Sequence, residues 1–326
     1  MALGQSYISE AVQLLITPML IAMSFETLTG KELNLLRRVM IGFFIVECGL
    51  SIVEWTLNRA FFLNPNLPNE FLDWFAISGF FRSTSLLGHP LANAQVVAVF
   101  MTFIAISDFK KKYVQIFLFF LGYLSLFCFN ARGATLVITA FVAPYFIWKV
   151  NRTTPQNRKW IIKLGVFCVV LGIGYMVTQT SFGGRLMNME LMDSSGQTRL
   201  EVWDFYRHYD RQENFIWGHP GNYLFMMDKL GAAGVENGVV CLILDWGIVF
   251  TIPVLLLLFR FQYHRLSVFS KFDKWLLLAV FYIIGFMNPN LAAPLQWTLW
   301  IYAYYVFRPQ ALLPQTETVF SIEIDE

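Results

Sequence analysis

Residues 236–259 read ENGVVCLILDWGIVFTIPVLLLLF, a run of twenty-four in which only Glu236 and Asp245 carry charge. About twenty apolar residues in a helix cross the hydrocarbon of a bilayer. That layer offers the backbone no water, so the run must satisfy its own N–H and C=O groups, and a helix does so within one segment. Working outward, apolar runs recur at about 8–27, 39–57, 89–107, 113–130, 132–149, 160–178, 275–291 and 294–307. Glu10 and Pro18 interrupt the first, and the last is short. The expectation is an all-α fold: a polytopic transmembrane helical bundle of about eight to nine spans, forming one integral membrane domain over 1–326.

Composition agrees with that reading. The 326 residues are 56% hydrophobic and only 14% charged, far from a soluble average. A net charge of +2 with scattered basic residues leaves no nucleic-acid footprint. Cys48, Cys128, Cys168 and Cys241 lie in separate apolar runs, without the spacing of a zinc site or a disulfide pair, and read as small buried hydrophobes. Met1 is followed by no basic stretch, so no cleaved signal peptide is expected.

Orientation follows from Lys and Arg. The connections LTGKELNLLRR, DFKKK, KVNRTTPQNRK and RFQYHRLSVFSKFDK carry most of the positive charge, which assigns them to the cytoplasm. The outer side then receives the segment 59–88, the turn 130–132, the turn NPNLAAP and one long polar loop, 179–235. With nine spans and a cytoplasmic C-terminus, the N-terminus falls outside after a few residues. Either the first span is re-entrant or a longer relative has additional helices.

The long loop is where chemistry is expected, since structureless loops of this length are uncommon and usually functional. Within it, Thr198 and Glu201 have capping-box spacing and Leu200, Trp203 and Tyr206 follow at helical intervals, so short amphipathic helices are expected there. Arg207 and Arg211 have acidic neighbours to pair with, while Arg199 stands apart at the helix start. Arg132 lies where one run ends and the next begins, on the face that positive-inside disfavours, with Gly133 permitting close approach. Two Gly-His-Pro sites place Arg82, His89 and Asn93 at one mouth and His219, Asn222 and Tyr223 in the loop. Each His reads equally as part of a turn. Four histidines without ligand spacing argue against a metal centre. Glu236 and Asn237 open the run that heads this section, Glu236 serving either as a first-turn acid or as a functional carboxylate.

Taken together, Ala131-Arg132-Gly133, the Arg199–Trp203 segment leading into IWGHPGNY, ENGVVCLILDWG and the Arg82–Pro90 segment resemble the bacterial O-antigen ligase and O-antigen polymerase superfamily. The resemblance covers about residue 80 to the C-terminus. The chain departs from the ligases in having Glu236-Asn237 for His-Asn and Ala131 for Ser. That favours a polymerase, or a ligase acting on another acceptor such as a protein, over a strict lipid-A-core ligase.

The resemblance implies a glycosyltransferase that moves a glycan from a polyprenyl diphosphate carrier to a sugar hydroxyl, on the periplasmic face of the bacterial inner membrane, without metal or other cofactor. The bilayer and other polysaccharide assembly proteins would be its partners. Arg132 and Arg199 would stabilise the departing diphosphate, with Arg82 behind them, because Arg offers planar donors suited to phosphate. Glu236 would take the acceptor's proton, and direct attack predicts inversion. His89, His219, Asn237, Trp203 and Tyr223 would bind substrate. A different class, a flippase or transporter, draws on Glu47 and Glu54, seven residues apart on one helix face, as part of a proton path.

Overall fold

The computed structural model describes residues 12–62, 81–109, 111–154, 212–219 and 237–309. Helix dominates these residues, and no strand occurs among them. In chain order the helices are α1 (Thr17–Glu26, preceded by a π turn), α2 (Gly30–Leu57), α3 (Pro90–Ile106), α4 (Lys112–Cys128), α5 (Arg132–Thr153), the short α6 (Gln212–Trp217), α7 (Gly238–Arg265), α8 (Lys271–Phe286) and α9 (Pro294–Phe307).

Local chemistry sets the boundaries. Thr29 and Glu32 close a reciprocal capping box at the start of α2, with Thr29 N–H donating to Glu32 Oε2 at 2.8 Å. The helix therefore begins nine residues before the apolar run at 39 and carries Lys31, Arg37 and Arg38 on its first turns. Asn58, at φ 47°, ends it in the left-handed conformation that Asn tolerates. Pro90 and Pro294 occupy first turns, where their missing N–H costs nothing. Within α5, the π turn Ile138–Val142 directly precedes Pro144. That ring crowds the preceding turn and offers no N–H to the Ala140 carbonyl, so the helix widens there.

α3 is the axis of the bundle. It is apolar all round, is buried from Asn93 to Ile106, and packs on α4, α8 and α9. The surrounding helices instead leave large apolar side chains exposed, among them Leu35, Val39 and Val53 on α2, Phe141 and Trp148 on α5, and Phe250, Ile252 and Leu256 on α7. Apolar faces of that extent call for a non-aqueous surrounding.

Three helices are long and apolar enough to cross a membrane: Gly30–Leu57, Arg132–Thr153 and Gly238–Val268, with mean hydropathy 1.6, 1.5 and 2.4. The expected eight to nine spans thus reduce, among the described residues, to three of full length. α3 and α9 are shorter, at 17 and 14 residues; a non-helical segment, 81–89, precedes α3, and a 3-10 turn, Pro289–Ala292, precedes α9. The expected span 160–178 and most of the loop 179–235 lie outside the described residues.

From α2 to α5, and again from α7 to α9, successive helices run in opposite directions, while α5 and α7 both finish at the same end, which gives the bundle two ends. At the basic end, Lys112 and Lys149 approach Asp108 at 3.8 and 3.7 Å. Arg265 bonds Glu26, the Tyr305 hydroxyl lies 2.7 Å from Glu26 Oε1, and Arg308 stands 3.5 Å from Glu26 Oε2. Arg37 donates to the Val306 carbonyl at 2.7 Å. The opposite end gathers the starts of α3, α5, α7 and α9.

Candidate functional site

That opposite end is assembled around a strap, Phe81–His89, laid against the last turns of α2. Glu54, buried on α2, accepts from three backbone N–H groups: Phe61 at 2.7 Å, Thr84 at 2.8 Å and Ser85 at 2.9 Å. One helical face lower, Glu47 Oε2 accepts from Leu86 N–H at 3.2 Å, and the Ser85 hydroxyl donates to the Glu47 carbonyl at 2.9 Å. Ser83 donates through its hydroxyl to the Ser51 carbonyl and through its N–H to that of Cys128. A non-helical segment inside a bundle needs partners for its buried N–H groups. The two acids and Asn93, which accepts from Leu87 N–H and donates to the Thr84 carbonyl, supply them. Ser85 at φ 43° and Gly88 at φ 66° let the strap turn back into α3.

The strap fixes Arg82 and His89. Arg82 is 5% exposed and donates through Nε to the Phe129 carbonyl at 3.2 Å, at the C-terminal end of α4 where a cation is favoured. His89 stands ahead of the first turn of α3, outside the helix that the apolar run 89–107 anticipated, and caps it: Nδ1 accepts Leu91 N–H at 3.3 Å. Burial first, and then the neighbouring Arg82 cation, hold its pKa down at about 4, so the ring is neutral and carries its proton on Nε2.

From the same α4 end the chain turns through Asn130, at φ 53°, and Arg132 opens α5 three residues beyond the carbonyl that Arg82 binds. Gly133 has the close approach expected of it, because a Cβ there would meet Met287 Sδ at 2.8 Å. Asn237 caps α7, its Oδ1 accepting from Val239 and Val240 N–H at 3.1 and 3.2 Å. Its neighbour Gly238 abuts the Gly285 and Asn288 carbonyls, each 2.8 Å from where a Cβ would sit. Asn290 and Gln296 donate to the Leu91 and Ala92 carbonyls at 3.0 and 3.3 Å. The starts of α3, α5, α7 and α9 therefore converge on the turn Met287–Ala293, and the end of the bundle where they meet also carries Arg82, on the strap, and Arg132, in the first turn of α5.

His219 reaches this end differently. Gly218 and Gly247, at φ 71° and 72°, lie back to back, and a Cβ on Gly218 would sit 2.2 Å from Gly247 N. The kink of α7 at Gly247 frees the Leu244 carbonyl, which accepts His219 N–H at 3.0 Å, while the imidazole is exposed.

The structure sets Arg82 beside His89 and places Arg132 and Asn237 at the starts of α5 and α7, and it gives His89 and Asn237 helix-capping work. Glu236, Arg199, Trp203 and Tyr223 lie outside the described residues. The sequence reading missed the strap: the run Ser83-Thr84-Ser85 opposite two in-span acids was its signal. Among the described residues no three His, Cys, Asp or Glu side chains cluster as metal ligands, and Cys48, Cys128 and Cys241 are buried free thiols. No family model, curated protein or solved structure matches this chain.

Proposed function

We propose that the chain is a membrane glycosyltransferase of the O-antigen polymerase kind, transferring a glycan from a polyprenyl diphosphate to an acceptor sugar hydroxyl at the mouth where the helix starts converge. One feature supports this reading: Arg82 on the strap and Arg132 in the first turn of α5 belong to the end of an apolar bundle where the starts of α3, α5, α7 and α9 converge. A departing diphosphate needs that environment when no metal neutralises it. In the step itself, the acceptor oxygen bonds to the anomeric carbon and the bond from that carbon to the diphosphate oxygen breaks. Its electron pair leaves with the diphosphate, beside Arg132, Arg199 and Arg82. The hydroxyl proton passes to Glu236, and the anomeric centre inverts. Asn237 and Gly238, next in the chain, anchor the start of α7 against Asn288.

Each residue has a reason in this scheme. Arg82 sits on the strap, so its position depends on Glu54 and Glu47 rather than on its own flexible stem. His89, neutral with Nε2–H, is suited to donate to a sugar or phosphate oxygen without competing for the proton. His219, Trp203 and Tyr223 would bind substrate. The protein would lie in the bacterial inner membrane with this mouth facing the periplasm, in keeping with the basic opposite end facing the cytoplasm.

The transporter alternative draws on Glu47 and Glu54 as part of a proton path; Glu54 holds three backbone N–H groups, those of Phe61, Thr84 and Ser85, whereas Glu47 holds one through Oε2 and keeps Oε1 buried without a partner among the described residues. Deletion separates the classes. Loss of a polymerase accumulates unpolymerised lipid-linked repeat units on the outer leaflet, and loss of a flippase accumulates them on the inner one. Inner-leaflet accumulation would discard the proposed function. A ligase differs from a polymerase in leaving polymer intact on its lipid carrier.

A further inference from the structure

At the basic end, away from the mouth just described, the last turns of α7 leave a cleft of about 680 Å³ against α1 and α9, within the size range of ligand pockets. Its apolar wall includes Met19, Leu257 and Phe261, and Arg260, His264 and Ser267 stand at its rim. Arg265 also lines it but is committed, bonded to Glu26 and 3.1 Å from the Tyr305 hydroxyl. Arg260, His264 and Ser267 are exposed, and among the described residues their side chains make no hydrogen bond or ion pair. Two cation-capable groups and a hydroxyl thus face an apolar slot, and no side chain among the described residues satisfies them.

Depth says what would. Arg260 stands five residues before Arg265, whose partners Glu26 and Tyr305 belong to the basic end of the bundle, and Lys and Arg gather where such an end meets the headgroups. Arg260 therefore lies at headgroup level, and the exposed Leu256 and Leu257 lie one turn deeper, where acyl chains run. We propose that this cleft is a binding site for an anionic phospholipid, its phosphate held by Arg260, His264 and Ser267 and one acyl chain lying along Met19, Leu257 and Phe261. The charge matches the phosphate, the wall matches the chain, and the slot opens on the lipid-facing side of α7. This inference does not depend on the glycosyl transfer proposed above.

Native mass spectrometry of the full chain in detergent, with equimolar phosphatidylglycerol and phosphatidylcholine, tests it. Phosphatidylglycerol is expected to be retained in preference. Arg260→Gln should lower its occupancy about fivefold, the weight of one basic residue at an anionic surface. Arg38→Gln removes a cation from the same end but outside the cleft, and should leave occupancy unchanged. Equal retention of the two lipids, or an equal loss in Arg38→Gln, would overturn the site in favour of diffuse attraction. Displacement by inorganic phosphate alone would make the occupant a free anion, and displacement by the peptide ETVFSIEIDE would make it the acidic tail 317–326. Either result would also overturn the proposal.

Discussion

Replacing Glu54 by Gln should loosen the strap without dismantling the bundle. In the native chain Glu54 Oε2 takes the N–H groups of Thr84 and Ser85, and Oε1 takes that of Phe61. A glutamine has one carbonyl oxygen. Turned toward Thr84 and Ser85, it sets its NH₂ against Phe61 N–H, donor facing donor. One unsatisfied donor costs about 1–3 kcal/mol, and the two remaining bonds weaken, so the total is about 2–4 kcal/mol. That is less than the 5–15 kcal/mol that typically holds a domain, so the protein should accumulate. Its apparent melting temperature in detergent should fall by about 5–15 °C at 2–4 °C per kcal/mol. Tryptic cleavage after Arg82 should rise at least tenfold, because the strap opens more often. A Glu54→Gln protein that melts within about 1 °C of wild type and resists cleavage at Arg82 would refute the reasoning.

Two further outcomes follow from the same end of the molecule. Gly247→Ala places a Cβ 2.3 Å from the Ile216 carbonyl oxygen in a left-handed conformation that alone costs roughly 1–2 kcal/mol; residues 212–219 should lose their seat on α7, read as new protease cleavage there, and native resistance would contradict the kink's role. His89 has a folded pKa near 4, below its ordinary 6.5. As pH falls the unfolded chain protonates first, so this stability is present above about 6.5 and is lost between 6.5 and 4, by up to about 3 kcal/mol. His89→Asn keeps a capping oxygen and should flatten that part of the melting-temperature profile; an unchanged slope would count against it.

Much of the helical frame was legible from apolar runs because lipid-like surroundings demand long uncharged helices: the run 294–307 coincides with Pro294–Phe307, and 132–149 extends only to Thr153. Runs do not record where caps lie, so α2 began nine residues early at its Thr29 and Glu32 box. The strap was illegible for a deeper reason. Glu54 meets Thr84 and Ser85 across thirty residues, and its partners are backbone N–H groups, which every residue type carries. The chain-holding work of Glu47 and Glu54 therefore leaves no mark in the sequence. Arg82, Arg132, His89 and Asn237 were picked out individually from unusual positions, but their shared mouth depends on Met287–Ala293, a turn that had no chemistry of its own to announce it. Gly218 and Gly247 each follow a Trp, and only their paired positive φ angles tell that two backbones cross there.

The central claim is that guanidinium groups at the converging helix starts stabilise a departing lipid diphosphate. Its most direct test is transfer by the purified full chain in liposomes, supplied with a radiolabelled polyprenyl diphosphate-linked repeat unit and scored for longer glycan by gel. Wild type should form polymer, while Arg132→Ala, with wild-type melting temperature, should be slower by about 100-fold, the weight of one well-placed donor group. Polymer formed at the wild-type rate by Arg132→Ala, or none formed by intact wild type, would contradict it.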